Sequence, residues 1–251
     1  MAGHSKWSNI KRKKGATDAK RSKLFSKALK EINVAIKTGG TDEESNPALR
    51  NAIANARGMN MPKENILRAI KKASGEGADN FEEITFEGYG PFGIAFFIEC
   101  TTDNTNRTVA NIRAIFNKAN GSLGTNGSLE FLFERKGVFT IKESSIQQEI
   151  EELELELIEH GLDTMEIEGD GYVTVYSAFS DYGTMTEALE ELGTEVENST
   201  LMRIPLNTVE LPLEQAKKIL ELEEKFEDDE DVQKVFHNLE ITDELIAEIE
   251  K

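Results

Sequence analysis

Over the first third of the chain, apolar residues recur at the spacing of one helix face. Leu24, Phe25, Ala28, Leu29, Ile32 and Ile36 predict an amphipathic helix over 16–37, which Gly39 and Gly40 end. Asn46 is placed to cap a second helix, with Pro47 at its first position and Leu49, Ala52, Ile53 and Ala56 as its apolar stripe up to Gly58. Pro62 opens a third, with Ile66, Ala69 and Ile70 turned inward. Three short amphipathic helices predict a small bundle, and the segment from Ser74 to Asp79 reads as a linker.

After Phe81 the period changes. Strands are predicted over 82–87 and 92–99 about a Gly- and Pro-rich turn, then a helix over 106–119 and strands over 128–135 and 137–142. A helix over 145–160, a hairpin of 165–168 with 172–176, a helix over 182–192 and a strand over 200–204 follow. The chain closes with a short strand over 207–210, a helix over 212–226, a strand over 232–237 and a short helix. Residues 137–204 therefore read β-α-β-β-α-β, the ferredoxin-like order, while the flanks 92–135 and 207–237 each read β-α-β. One ferredoxin-like unit inserted in another accounts for this. Two α/β domains in series would leave 207–251 with an uncovered sheet edge. The expected class is α+β multidomain: a basic helical domain over 1–80, an α/β domain over 81–136 plus 205–251, and an inserted domain over 137–204.

The 251 residues are 38% hydrophobic and 30% charged, ordinary for a globular protein. Cys100 is the single cysteine, so no intramolecular disulfide can form. There is no apolar leader and no run of membrane-spanning length, and a cytoplasmic location is expected. The net charge of -18 argues against nucleic acid until its distribution is read. Residues 1–80 hold 17 Lys and Arg against 8 Asp and Glu, a net of +9; the remainder holds 12 against 39, a net of -27. Such asymmetry points to contact with a polyanion.

The strongest candidate site is the basic arm. Lys6, Lys11, Arg12, Lys13 and Lys14 lead into Lys20, Arg21, Lys23, Lys27 and Lys30. Helical spacing puts Lys20, Lys23, Lys27 and Lys30 along one side, opposite Phe25, Ile32 and Ile36. Flexible lysines suit phosphate, with little base discrimination. Trp7 and His4 lie among the cations; Trp7 either stacks on an unpaired base or tucks against the bundle, the second being favoured. The Gly58 to Pro62 turn is short enough for a helix-turn-helix, with Lys63, Arg68, Lys71 and Lys72 facing a groove, but an ordinary helical hairpin is the better reading. The Gly-rich stretch 121–127 follows a helix and precedes a strand, the wrong context for a nucleotide loop. Thr105 or Asn106 is expected to cap the following helix, and Arg107 to pair with Asp103 or touch a phosphate. The acidic run from Glu223 to Asp231 lacks the spacing of a calcium loop and reads as a solvated face. His4, His160 and His237 stand in no nucleophile or zinc motif, so no catalytic residue, metal or cofactor is expected.

The motifs Met1-Ala2-Gly3-His4-Ser5-Lys6-Trp7, Asp18-Ala19-Lys20-Arg21, Lys23-Leu24-Phe25 and Asn60-Met61-Pro62 stand in the first domain. The rest of the chain carries Phe86 to Pro91, Thr102-Asp103-Asn104, Asn106-Arg107-Thr108, Gly121 to Gly124 and Asp231-Val232-Gln233. With these marks the sequence resembles the YebC/PmpR family along essentially its whole length. The resemblance implies a helical N-terminal domain with two α/β domains, one inserted in the other. It implies DNA-binding regulators in some bacteria and, in others and in a related mitochondrial translational activator, work at the ribosome.

Composition and motifs thus predict a non-enzymatic nucleic-acid-binding regulator, with promoter DNA or ribosomal RNA as partner. A scaffold that binds only proteins is the alternative. The acidic body repels open polyanions, and the residues supply no coiled-coil segment for a dimer, so a monomer is expected, with a lean toward ribosomal RNA.

Overall fold

Asn46 caps its helix with its carboxamide, which accepts from the Leu49 amide at 3.0 Å. Its Nδ2 donates to the carbonyls of Ala35 and Gly40, both at 2.8 Å. One buried side chain thereby fastens the first helix to the second. The structure, a computed structural model, describes residues 3, 4, 7, 10, 11, 18–75, 80–167 and 171–249; for residues 18–20 the backbone alone is described. Helices α1 (Asp18–Gly39), α2 (Pro47–Gly58) and α3 (Lys63–Ala73) form the expected bundle. Its core is Ile32, Ile36, Leu49, Ile53, Ala56 and Ile66 with their neighbours.

Strands β1 (Glu82–Tyr89) and β2 (Ala95–Thr102) form an antiparallel hairpin. Helix α4 (Thr105–Lys118) leads to a two-residue strand, β3 (Ser122–Leu123). The inserted unit runs β4 (Phe133–Lys142), α5 (Ile150–Ile158), β5 (Leu162–Ile167), β6 (Tyr172–Ala178), α6 (Tyr182–Glu191) and β7 (Val196–Pro205). The chain then returns through α7 (Leu213–Glu227), β8 (Val232–His237) and α8 (Asp243–Ile249). The inserted sheet is ordered β5-β6-β4-β7, all antiparallel, as the ferredoxin-like pattern requires. Its helices cover one face through Phe139, Ile141, Leu153, Leu157, Val173, Val175, Met185 and Leu189.

The outer sheet is ordered β3-β1-β2-β8. Here the segment over 207–210 is not the strand the sequence suggests; among the described residues it makes a single parallel bridge, Val209 with Leu239. The place it would take beside β2 is held by β1, which pairs with β2 along its whole length. Residues 128–135 and 137–142 are likewise not two strands. A turn precedes Phe133 and one strand runs to Lys142. Gly137 looks like a break but sits mid-strand because a Cβ there would lie 2.5 Å from Ser177 Oγ. Helices α4, α7 and α8 pack on one face of the outer sheet around Phe96, Phe116 and Phe226, with ring centroids of Phe116 and Phe226 4.7 Å apart.

Candidate functional site

Helix α7 carries its apolar stripe at Ala216, Ile219, Leu220, Leu222 and Phe226, and Glu223 falls in the same buried register. A carboxylate there needs partners, and the far end of the chain supplies them. Trp7 Nε1 donates to Glu223 Oε2 at 3.0 Å, and Lys11 Nζ lies 2.7 Å from Glu223 Oε1 and 2.6 Å from Glu227 Oε1. Gly3, His4, Trp7, Ile10 and Lys11 all have helical backbone. Gly3 passes so close to the outer unit that a Cβ would lie 2.5 Å from the Ile241 carbonyl oxygen. Trp7 and Ile10 belong to the outer unit's core. Trp7, 9% exposed, therefore rests against the outer unit and not against the helical bundle, and in this arrangement it is closed to a stacking base.

The lysines of α1 continue the seam. Lys23 Nζ pairs with Asp228 Oδ1 at 2.6 Å. Lys27 Nζ donates to the Glu227 carbonyl at 2.9 Å, and Lys30 Nζ to the carbonyls of Thr101 (3.1 Å) and Glu230 (2.7 Å) and to Asp231 Oδ1 (3.2 Å). Lys37 Nζ reaches Asn80 Oδ1 at 2.8 Å. The free carbonyls and negative dipole end of α7 favour cations at this point. Arg21 projects from the other side of the seam, its guanidinium 5.4 Å from the Phe25 ring centroid and 3.5 Å from the Asn60 carbonyl. Lys20 lies in the first turn of α1. Lys6, Arg12, Lys13 and Lys14 lie outside the described residues.

The acidic run is therefore a solvated face only in part: Glu224, Asp228 and Glu230 are exposed, but its two ends are not. Glu223 and Asp231 are buried and each serves several donors. Asp231 accepts from Arg107 Nη2 at 2.7 Å, Thr108 Oγ1 at 2.9 Å and Lys30. Burial pushes the Asp231 carboxyl up, but hydrogen bonds from Arg107, Thr108 and Lys30 outweigh it and hold its pKa below the usual range. The same competition, with burial opposed by Lys11 and His237, lowers Glu223. Lys11 is raised, because Glu223 and Glu227 outweigh its burial. Lys27, bonded to a neutral carbonyl, is lowered, chiefly by burial. Arg107 pairs with Asp103 at 2.8 Å and with Asp231, and Asn104, not Thr105 or Asn106, caps α4 by accepting from the Arg107 amide at 3.1 Å.

A buried histidine pair completes the seam, and no local pattern in the sequence joins its two members. The His4 and His237 rings are 5.3 Å apart, His237 Nε2 lies 3.7 Å from Glu223 Oε2, and His4 Nε2 is buried without a hydrogen-bond partner. Burial, reinforced by His237, lowers the His4 pKa to about 3 from its usual 6.5. A released N-terminal segment takes up a proton that the docked one refuses. Docking is therefore strongest above pH 6.5 and weakens as pH falls toward 3. Trp7 is the only tryptophan, so its emission should shift to the red across that window. His4→Gln should leave the emission flat from pH 6.5 down to about 4.5, below which release also lets Glu223 take up a proton; an unshifted wild-type emission would exclude this coupling.

The Gly-rich stretch serves as the end of α4 and the edge strand β3, and buried Glu87 accepts from the Gly127 amide at 2.6 Å and the Leu129 amide at 2.5 Å. Among the described residues, no group of three or more His, Cys, Asp or Glu is arranged to hold a metal ion, and no helix is long and apolar enough to cross a membrane.

The fold and the seam define a class: an α+β protein whose basic helical bundle is laid along the acidic edge of a two-sheet body. The chain belongs to the TACO1/YebC family, residues 5–76 matching the family's N-terminal domain and residues 81–239 its second and third domains. It is 50% identical to the "Probable transcriptional regulatory protein" of Amoebophilus asiaticus over 95% of this chain and 98% of that one. It is 47% identical to the protein of the same name from Chlorobaculum parvum over the full length of both. Among solved structures it is similar to a conserved hypothetical protein from Aquifex aeolicus, at 41% identity and a TM-score of 0.80, over 91% of this chain and 94% of the other.

Proposed function

We propose that the chain is a non-enzymatic, cytoplasmic regulator of gene expression that binds nucleic acid as a monomer. Residues 1–80 are the binding domain, and 81–136 with 205–251 and the inserted 137–204 are its acidic body. The observation that carries the reading is the charge segregation, +9 over 1–80 against -27 over the rest. The regulatory names of the relatives support it. The binding strip is Lys6, Trp7, Lys11, Arg12, Lys13, Lys14, Lys20, Arg21, Lys23, Lys27 and Lys30. The partners of Lys23 and Lys30 in the seam include carboxylates, the same charge type as a phosphate. A polyanion therefore binds by exchange: phosphates replace the acidic run and the bundle lifts from α7. Exposed pairs such as Lys23 with Asp228 are worth only about 0–1 kcal/mol and exchange first, whereas Lys11 and Lys30, paired with buried carboxylates, exchange last.

The partner favoured is structured ribosomal RNA, because the acidic body opposes attachment to open duplex DNA but not to a cleft lined with basic ribosomal proteins. The test is sedimentation of cell lysate, with crosslinking and sequencing of the bound nucleic acid. The protein should travel with ribosomes, and Lys20→Glu with Lys23→Glu should return it to the top of the gradient. Recovery of discrete promoter fragments from a protein that stays at the top would assign DNA. In purified form, log affinity should fall with log salt by roughly 0.9 per phosphate on duplex DNA and 0.7 on single strands. Lys23→Ala with Lys30→Ala should flatten that slope by about one to two; an unchanged slope would remove these lysines from the interface.

A further inference from the structure

We infer that the outer face of α3 is a second binding surface for the sugar–phosphate backbone of nucleic acid, open while the α1 lysines are held by the acidic run. The inference rests on the function proposed above and extends it to a site outside the strip.

Lysine ammoniums of α1 are occupied: those of Lys23, Lys27 and Lys30 donate to side chains or carbonyls of the 227–231 segment. Three of the four cations of α3 are not. Lys63, Arg68 and Lys71 are exposed and make no ion pair or hydrogen bond through their side chains among the described residues. Lys63, Leu67 and Lys71 are spaced i, i+4 and i+8, so they form one row on the helix surface, with Arg68 beside it. The rise of the helix puts Lys63 and Lys71 about 12 Å apart along the axis, comparable with the width of a B-DNA major groove. Glu64 is the one acidic residue of the helix.

The surroundings add to the charge. Arg57, exposed in the last turn of α2, and Arg21, whose guanidinium reaches the Asn60 carbonyl, flank the turn that opens α3. On the inner side, Ile66 is buried and Ala69 and Ile70 pack into the bundle core, so the row is carried by a fixed helix. Leu67 is 53% exposed between the two lysines. It can lie against sugar edges but cannot read a base. The surface therefore suits backbone contact without sequence selection. A polyanion arriving at the closed protein meets this row first and is then near the start of α1, where the exchange at the seam begins.

The test is a titration of the full-length chain against a short DNA duplex, an RNA duplex of the same length and vesicles containing phosphatidylserine, each over a range of salt. Lys63→Gln/Arg68→Gln/Lys71→Gln should flatten the salt slope by about two to three on duplex, one unit for each lost phosphate contact. The preference between the two duplexes tells DNA from RNA as the source of the backbone. Leu67→Ala should leave the slope unchanged. Far-ultraviolet circular dichroism and Trp7 emission identical to wild type show that the triple variant is folded with its seam closed. If the wild type binds and the triple variant keeps its slope, the α3 surface is refuted while the proposed function stands. If the wild type binds neither duplex, both fall. If the row instead governs binding to vesicles alone, it is a membrane-surface contact and the inference is overturned.

Discussion

Lys23→Cys joined to Asp228→Cys by a short bismaleimide is expected to lose at least about tenfold in nucleic-acid affinity at moderate salt, as removal of several phosphate contacts requires. Lys23 and Asp228 face each other at 2.6 Å on the exposed side of the seam, so the link holds the bundle where it already lies and introduces no new packing. What it prevents is exchange. With α1 tied to the end of α7, Lys27 and Lys30 stay on the carbonyls of Glu227 and Glu230 and cannot meet a phosphate. The residual affinity should be that of the α3 row. The native thiol does not interfere, because Cys100 is buried and burial pushes its pKa well above the ordinary value. The control is the same double variant without the linker, which differs by one covalent bridge. A linked chain that binds as tightly as the unlinked one would show that the seam never opens.

Glu223→Ala should act in the opposite direction. Glu223 is the point at which the two ends of the chain meet, accepting from Trp7 and Lys11 while His237 lies 3.7 Å away. Removing it leaves the indole N–H without its acceptor and Lys11 with Glu227 alone. Breaking a buried pair from one side costs about 3–5 kcal/mol, far more than losing an exposed pair. The helical bundle has its own core, so the expected outcome is release of the N-terminal segment before any unfolding of the bundle. Trp7 emission should shift to the red at neutral pH, the urea midpoint of the outer unit should fall, and nucleic-acid affinity should rise because Lys11, held by Glu227 alone, exchanges more readily. Glu223→Gln, which retains an acceptor for the indole but loses the charge, should lie between. Unchanged emission and an unchanged midpoint would mean that Glu223 does not hold the segment down.

The segregation of charge, the three helices of the bundle and the β-α-β-β-α-β run of the inserted unit were legible in the sequence because each is a local matter. Asn46 before Pro47 is a cap and a first turn wherever it occurs, and the stripe from Leu49 to Ala56 repeats at helical period within a dozen residues. The pairing partners of strands are not local. Residues 207–210 alternate well enough for a strand, yet β1 holds the position beside β2, and only the register of β1 with β2 decides this. Gly137 likewise reads as a break until Ser177 is brought against it.

For the candidate site, the sequence by itself determined which residues carry the charge: the lysines of the first 37 positions and the acids after residue 220. Each block is sound alone as a solvated face. Tertiary structure decided that they face each other, with Trp7 and Lys11 brought to Glu223 across 216 and 212 positions of chain. One clue was present, since Glu223 occupies the buried register of α7 and a carboxylate there has to find a cation. Which cation it finds is set by the way the helical bundle lies on the outer sheet. That depends on contacts between residues far apart in sequence, which no local pattern encodes.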